Sequence, residues 1–399
     1  MGLPPNLVAP TSFACPPRAI RPLLFFFLLV IVGIVYAPVW SAAHVLVIEP
    51  VPAASESVSP ESAPSVIAGL LADALLGKLY EEGAMGPRNY GEAARLYRNA
   101  ASQGLALGQY FLALLYLTGR VPDEEGQAIR WLHRAAEQGD GDAQVLLGAL
   151  YYNGRDVAQD YPAAAHWFQQ AALQGKAHAQ YSLGMIYSLG HGVPHDESAA
   201  LSWYRLAAAQ GHPTASHNLG LKYFQGQHIS KDRNEALRLF LQASEAGLAE
   251  SQYAAGQIYL QGEDVPQDYA EALHWSRLAA AQDHPGAQVS LGLMYARGEG
   301  ILQDGSEAVH WFRAAAEQGD TEGQFNLAMA YWLGLGVPQD RIEAYLWATL
   351  SAEQDHRKAK DLQTAILKGM KRAQITKVQR LAQTWRLKLL TSQKPKPKP

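Results

Sequence analysis

Histidine is the side chain whose number and spacing most readily suggest chemistry. Thirteen histidines are present, and His166, His274 and His310 each stand directly before a tryptophan. On neighbouring packed helices, His274 and His310 would lie about 8–10 Å apart or more, whereas a shared metal ion needs nitrogens at about 2 Å. This register therefore indicates exposed histidines on helix surfaces.

A second group of histidines falls in two consecutive loop segments. His191 and His195 lie in one segment and His228 lies in the next. These three form the one cluster in the sequence whose spacing could suit a metal ion. Surface-loop histidines are the favoured interpretation, so we expect no metal site.

An acidic or amide residue recurs at one position and could suggest a row of catalytic acids or metal ligands. The column comprises Asn89, Asp160, Asp196, Asp232, Asp268, Asp304 and Asp340. At most of these positions a glutamate follows three residues later, the spacing of a capping box that contributes about 1 kcal/mol per helix. The column therefore predicts the N-termini of helices.

The sequence contains none of the motifs that mark common enzymes. A P-loop, a glycine-rich dinucleotide motif, a nucleophile elbow and a H-E-x-x-H zinc motif are all absent from it. The nearest candidates fail, because Gly175-Lys176 is followed by alanine and His195-Asp196-Glu197 has no second histidine at the required offset. We therefore expect no cofactor and no catalytic residues.

An internal repeat positions all of these residues. Its marker tyrosines are Tyr80, Tyr116, Tyr151, Tyr187, Tyr223, Tyr259, Tyr295 and Tyr331. Each step is 36 residues, except that Tyr116 to Tyr151 is 35. A period in this range indicates a solenoid of stacked helical units.

Each unit has the pattern of two helices. In the fourth unit, Ala179, Leu183 and Tyr187 recur every four residues, Gly190 ends the helix, and Asp196 caps the next. The predicted apolar face of the second helix is Ala200, Trp203, Leu206 and Ala207. A mid-helix glycine column, replaced by alanine in two units, predicts a close helix crossing, and a tryptophan column is expected to fill the space between units.

The pattern AQxxLGxxYxxGxGVxxDxxxAxxWYxxAAxxG resembles the Sel1-like repeat, a relative of the tetratricopeptide repeat, over residues 68–355. The resemblance implies antiparallel helix pairs that serve as an adaptor or scaffold for other proteins. The expected fold is all-α: a right-handed α-solenoid of about eight helix-turn-helix repeats, preceded by one transmembrane or signal helix. The sole cysteine, Cys15, precedes the repeats, unlike the disulfide-stapled secreted branch of the family.

The N-terminal residues differ in character from the repeats. We expect a Pro-rich cytoplasmic leader at 1–22, a membrane anchor or signal peptide at 23–43, and a flexible linker at 44–66. Leu23–Trp40 carries no charge and has eighteen residues, just enough to span a bilayer. Arginines precede this segment and acids follow it, which favours a cytoplasmic N-terminus and repeats outside the cytosol.

The favoured localisation is therefore a single-pass membrane protein, with repeats in the periplasm of a bacterium because the chain has no Asn-x-Ser/Thr sequon. The alternative is a secreted or periplasmic protein released by cleavage near Ala43, since Ser41-Ala42-Ala43 fits a signal-peptidase site.

The C-terminal residues are strongly basic. After the repeats at 67–355, we expect basic capping helices at 356–390, with a break near Gly369 and a possible cap at Thr376, and a Lys-Pro tail at 391–399. Residues 356–399 hold thirteen Lys and Arg against one acid, whereas residues 44–355 hold eighteen against thirty-six. The basic end is either a solvated face or a contact for something anionic: a membrane, a cell-wall polymer or an acidic partner.

A second stripe on the first helix of each unit varies in size and polarity while the signature face stays nearly constant. The candidate partner-binding residues are Tyr181, Met185, Ser188, His217, Leu221, Phe224, Phe325, Met329 and Trp332. The competing interpretation is that these residues pack against the neighbouring repeat and vary by mutual compensation. A glutamine column beside them is expected to form hydrogen bonds within the solenoid.

The favoured function is a non-enzymatic, membrane-anchored adaptor that binds a protein or peptide on its solenoid surface. Membrane contact would come through Leu23–Trp40, anionic contact through residues 356–399, and nucleic acid is not an expected partner. Two alternatives remain: an extracytoplasmic hydrolase or cell-wall-associated protein, and a structural spacer that binds through its basic end.

Overall fold

The structure is a computed structural model that describes residues 63–123 and 126–392. Within these ranges it contains 18 α-helices and no strands. The predicted leader, the anchor or signal segment, the linker up to residue 62 and the tail from residue 393 lie outside the described residues. The described helices form an all-helical solenoid.

The helices are α1 (Ala63–Glu82), α2 (Tyr90–Ser102), α3 (Ala106–Leu117), α4 (Ala128–Glu137), α5 (Gly141–Asn153), α6 (Tyr161–Leu173), α7 (Ala177–Leu189), α8 (Glu197–Ala209), α9 (Pro213–Gln225), α10 (Arg233–Glu245), α11 (Ala249–Gln261), α12 (Tyr269–Ala280), α13 (Pro285–Arg297), α14 (Gly305–Glu317), α15 (Thr321–Leu333), α16 (Arg341–Glu353), α17 (Arg357–Leu367) and α18 (Arg372–Ser392). Odd-numbered helices from α1 to α15 are the first helices of the repeats, and even-numbered helices from α2 to α16 are the second helices. Each first helix packs on the second helix of its own repeat.

The helix boundaries follow the predicted local signals. Asn89 and all six aspartates of the column accept hydrogen bonds from backbone N–H groups at the start of the second helices. Gly190 has a φ of 68° and ends α7, a left-handed conformation that glycine adopts without strain. The capping interpretation of the aspartate column is therefore confirmed.

The glycine column makes room for an aromatic ring of the second helix. A Cβ added to Gly184 would lie 2.8 Å from the ring of Tyr204 and 3.2 Å from the carbonyl oxygen of Ala200. Rings face the glycine in four further repeats, as Tyr97, Phe168, Phe240 and Phe312. Where alanine replaces glycine, the same register of the second helix holds Leu132 or Ala348, which carry no ring. The close approach was predicted, but the ring that causes it was not.

The apolar face of the second helices is rotated from the predicted one. Leu206 is 49% exposed, whereas Tyr204 and Ala208 are buried together with Ala200 and Ala207. The prediction of Leu206 as a face residue was wrong because the face is centred on the ring that fills the glycine gap. The tryptophans of the column are half-buried, apart from the fully buried Trp347, and fill the space between repeats as expected; Trp203 packs on α6.

A ladder of hydrogen-bonded glutamine pairs runs along the solenoid, with both members of each pair in the same repeat. The pairs are Gln109–Gln138, Gln144–Gln174, Gln180–Gln210, Gln252–Gln282, Gln288–Gln318 and Gln324–Gln354, at 2.7–3.0 Å. Gln180 also donates to the carbonyl oxygen of Ala172 at 3.2 Å, so its buried amide is satisfied on both sides. The prediction of hydrogen bonds within the solenoid is confirmed.

Two helices cover the last repeat. Ile366 of α17 and Val378 of α18 are buried in one cluster with Trp347, whose ring centroid is 5.0 Å from that of Trp385. The break between the helices falls at residues 368–371 and includes Gly369, as predicted. Thr376 does not cap a helix: it lies inside α18 and donates to the carbonyl oxygen of Arg372, because α18 already begins at Arg372.

Candidate partner-binding surface

The nine candidate residues lie on three first helices and share one level of burial. Tyr181, Met185 and Ser188 are on α7; His217, Leu221 and Phe224 are on α9; Phe325, Met329 and Trp332 are on α15. Each of the nine is half-buried, so part of each side chain packs and part faces outward. We call these nine residues the stripe. Its position remains a prediction, and both interpretations of it find support in the contacts.

Tyr181 contacts the next repeat. Its ring stacks on His212 at a centroid distance of 4.8 Å and an interplanar angle of 18°, and lies 6.0 Å from the ring of Tyr204. Burial raises the pKa of Tyr181, and a hydrogen bond with Asn218 partly offsets that shift. Packing against a neighbouring repeat thus accounts for one face of Tyr181.

His217 is held in a similar way by the repeat that follows. Its Nδ1 is 2.8 Å from the hydroxyl oxygen of Ser251, and its ring is 5.5 Å from that of Phe240. Burial lowers the pKa of His217, and the charge of Glu250 opposes that shift. The imidazole is therefore neutral at pH 7 and acts as a hydrogen-bonding partner within the solenoid.

Two further aromatic stripe residues, Phe224 and Trp332, have an arginine at the ring face. The guanidinium of Arg233 is 5.3 Å from the ring of Phe224, and that of Arg341 is 5.7 Å from the ring of Trp332. Leu221 and Met329 pack at the edges of the buried clusters beneath them. On both α9 and α15, apolar stripe residues therefore lie next to an arginine.

Ser188 belongs to a polar cluster at the loop end of the stripe. Its hydroxyl donates to Oε2 of Glu197 at 3.0 Å, Nε2 of His195 lies 3.6 Å from the same oxygen, and Lys222 forms an ion pair with Oε1. Burial alone would raise the pKa of Glu197, but the hydrogen bonds from Lys222 and Ser188 and the charge of Lys222 lower it overall. Ser188 thus donates to a weakly basic carboxylate and is not paired with a general base that could activate it.

Three histidines next to the stripe were missed from sequence. His212, His284 and His356 cap α9, α13 and α17, each accepting at Nδ1 from a backbone N–H group. His212 and His284 stack on Tyr181 and Tyr253 of the preceding first helices, and His356 packs against Phe325 at a tilt of 42°, with centroids 4.6–4.8 Å apart. These histidines recur every 72 residues, which is twice the repeat period. A search at the single-repeat period therefore does not reveal them.

The predicted histidine cluster is not brought together as a metal site. His191 stacks on Tyr161 at 4.5 Å and its Nδ1 is 3.1 Å from the hydroxyl of Tyr152, whereas His195 faces Glu197. Among residues 63–123 and 126–392, no group of three His, Cys, Asp or Glu side chains is placed to hold a metal ion. The exposed positions of His166, His274 and His310 agree with the prediction for them.

The repeats of this chain match a known protein family. The Sel1 repeat family model matches residues 70–105, 106–140, 141–176, 177–212, 213–248, 249–284, 285–320 and 321–356. Comparison with curated protein sequences gives no significant match.

Solved structures include similar repeat proteins. A Sel1 repeat protein from Oxalobacter formigenes is 29% identical, with 61% of this chain and 96% of its own covered at a TM-score of 0.54. A protective antigen of uropathogenic Escherichia coli strains, displaying an SLR fold, is 25% identical over 84% of this chain and 89% of its own, at a TM-score of 0.47.

Proposed function

Because the chain belongs to the Sel1 repeat family, whose members generally mediate protein–protein interactions, we propose that it is a non-enzymatic scaffold that binds protein or peptide partners along the stripe. The observation that carries the proposal is the difference in burial between the two sides of the first helices. The stripe is half-exposed, whereas Leu183 and Ile186, on the opposite side of α7, are buried.

The composition of the stripe suits a protein partner. It presents aromatic side chains and two methionines, residue types enriched in the cores of protein interfaces. Methionine also adapts its shape to different ligands. The right-handed sense of the solenoid and the position of the stripe on its concave side are two further parts of this proposal.

The location outside the cytosol is a second part of the proposal. It is supported by the uncharged segment Leu23–Trp40 with Arg18 and Arg21 before it. Within the described residues, no helix combines the length and apolar character needed to cross a bilayer. We propose a membrane anchor with periplasmic repeats, with release by cleavage near Ala43 as the alternative. The intact mass of the purified protein separates the two, because cleavage removes residues 1–43.

The basic end is proposed as an additional contact for an anionic surface. Part of its charge is used internally, since Arg386 pairs with Glu353 and Lys360 with Asp355. The thirteen cations of residues 356–399 nevertheless exceed the single acid there. Binding to anionic vesicles that weakens with added salt would support this contact.

Site-specific photocross-linking in cells tests the stripe. A photoreactive phenylalanine analogue placed at Met185 or Met329 of the full chain should give discrete cross-linked species. The matched control is the same analogue at Leu206, which is exposed on the second helix of the same repeat as Met185. Equal cross-linking from Leu206 and the two methionines would show that the stripe is not the binding surface.

A further inference from the structure

The fifth repeat lacks the tryptophan that fills the groove between consecutive second helices, and the first repeat also has leucine at this position. The column reads Leu96, Trp131, Trp167, Trp203, Leu239, Trp275, Trp311 and Trp347. Trp203 packs on the buried residues of α6, and Trp275 packs in the same way on those of α10. In α10, Leu239 takes this position; it is 1% exposed and packs on α8.

A cavity of about 300 Å³ lies beside Leu239, between α8 and α10. Ala208, Leu219 and Leu239 form its apolar part, and Arg205, Glu235 and Arg238 line its polar part. Arg205 and Arg238 are exposed, so the cavity opens to solvent at its polar side. A volume at the low end of the range for ligand pockets accommodates one side chain rather than a large ligand.

The cavity also retains the hydrogen-bond acceptor that an indole requires. In α12, Nε1 of Trp275 donates to Oε2 of Glu271 at 3.0 Å, and in α16, Nε1 of Trp347 donates to Glu343 at 3.1 Å. The equivalent acceptor in α10 is Glu235, four residues before Leu239. Glu235 instead accepts from Arg238 at 2.7 and 2.8 Å, at the edge of the cavity.

We infer that this cavity accepts the indole of a tryptophan side chain from a partner polypeptide. The chain's own tryptophans in the neighbouring grooves show which shape and which donor the groove receives. Glu235 supplies the acceptor for the indole N–H, and the guanidinium groups of Arg205 and Arg238 can lie against the ring face. The assignment of a polypeptide as the source rests on the proposed scaffold function. The site lies between two second helices, with Leu219 of α9 in its lining, and includes none of the nine stripe residues.

Titration of the full chain with N-acetyl-5-fluorotryptophanamide, followed by ¹⁹F NMR, tests the site directly. A single capped side chain should bind with a Kd on the order of 1 mM, given the affinity per atom of small ligands. The N1-methylated analogue, which cannot donate to Glu235, should bind several-fold more weakly, and N-acetyl-4-fluorophenylalaninamide should bind more weakly still. Absence of line broadening or shift changes at several millimolar probe would overturn the inference.

Two variants separate this cavity from general surface binding. Leu239→Trp places the chain's own indole in the groove and should reduce probe binding at least tenfold, without lowering the thermal midpoint. Trp275→Leu should open a second cavity beside Glu271 and raise the stoichiometry from one probe to two. Unchanged probe binding by Leu239→Trp would contradict the inference even if Trp275→Leu fails to fold.

Two further measurements test whether the indole comes from a polypeptide and whether the stripe takes part in binding it. Free L-tryptophan binding more tightly than the capped amide would overturn the polypeptide assignment, whereas weaker binding supports it. The stripe variant Met185→Glu should leave the Kd of the capped probe unchanged. If the probe does not bind the cavity, the cross-linking result for the stripe still stands. If the stripe gives no cross-links, the probe titration still stands, so the two proposals are tested independently.

Discussion

The two sides of α7 differ in burial although both carry apolar side chains. On the side that faces α8, Leu183 and Ile186 are buried and Gly184 contacts the ring of Tyr204. On the other side, Tyr181 and Met185 remain half-exposed. The first side must accommodate the ring of Tyr204 from the same repeat. The second side packs only in part and otherwise faces away from its own repeat.

This difference explains why one side varies among repeats and the other does not. The inner side is fixed by the same ring, the same cap and the same glutamine pair in most repeats, so a change there disturbs several contacts together. The stripe has no comparable shared constraint: Tyr181 corresponds to His217 in the next repeat and to Val289 three repeats further on. The helices therefore keep a fixed frame and vary their outer surface.

Gly184→Leu should give the largest effect, because it places a branched side chain where the ring of Tyr204 lies 2.8 Å from the added Cβ. Overpacking of this kind costs about 3 kcal/mol. Chemical denaturation followed by circular dichroism measures the loss. The matched control is Gly256→Ala, whose Cβ meets Ser276 Oγ at 3.1 Å and no ring. An equal decrease in the free energy of unfolding in both variants would show that contact with the ring is not the reason for glycine at these positions.

Asp268→Ala should lower stability by about 1 kcal/mol, because it removes the acceptor for the N–H groups of Ala270 and Glu271 at 2.9 and 3.1 Å. Asp268→Asn is the control, since Asn89 caps α2 in the same way. The difference in thermal midpoint between these two variants isolates the cap. A loss in the asparagine variant as large as in the alanine variant would argue for the charge instead.

Mild acid should weaken the helix caps formed by His212 and His284, which stack on Tyr181 and Tyr253. Burial lowers the pKa of His212 and His284; the charge of His178 adds to this for His212, whereas Glu250 and Asp320 oppose it for His284. The unfolded state then binds more protons, so the contribution is complete above the ordinary histidine pKa of about 6.5 and is lost as pH falls through the lowered values.

The acid effect should be smaller per cap than that of Asp268→Ala, and thermal midpoints measured between pH 7.5 and pH 5 would detect it. The double variant His212→Asn and His284→Asn keeps an acceptor at both caps and removes both titrations. Its midpoint should depend less on pH over this interval. An unchanged pH dependence would assign the effect to other groups.

Met185→Ala should have the smallest effect on folding, within about 0.5 kcal/mol, because its side chain is half-exposed on the stripe. The same change should weaken partner binding, which sharpens the contrast with Gly184 on the same helix. Thermal denaturation and cross-linking yield from a neighbouring stripe position, compared in one preparation, test both effects. A destabilisation comparable to that of Gly184→Leu would favour the packing interpretation of the stripe.

Sequence reasoning recovered the parts of the fold that depend on local chemistry. The aspartate caps, the glycine stops and the repeat register each follow from a few neighbouring residues and recur often enough to be recognised. The glutamine ladder was recognised for the same reason. The ring beside Gly184 was overlooked because Tyr204 directly follows the more conspicuous Trp203, and its direction depends on the helix rotation.

The candidate surface was harder to predict because its contacts join different repeats. Tyr181 packs on His212 across a repeat boundary, and such a pair is set by the stacking geometry rather than by spacing within one helix. Thr376 was misplaced for a related reason, since the start of α18 depends on how the terminal helices pack on α16. The cavity beside Leu239 became apparent only when the neighbouring grooves could be compared side by side.

Within the described solenoid, each helix packs mainly on the helices one or two places away along the chain. Contacts of such short sequence separation lower the entropy cost of loop closure, so folding should be fast for a chain of this size. Structure can also nucleate in any repeat and spread to both sides. Amide hydrogen exchange should accordingly show protection that changes in steps of whole repeats, with the loss caused by Gly184→Leu centred on the repeats around α7 and α8.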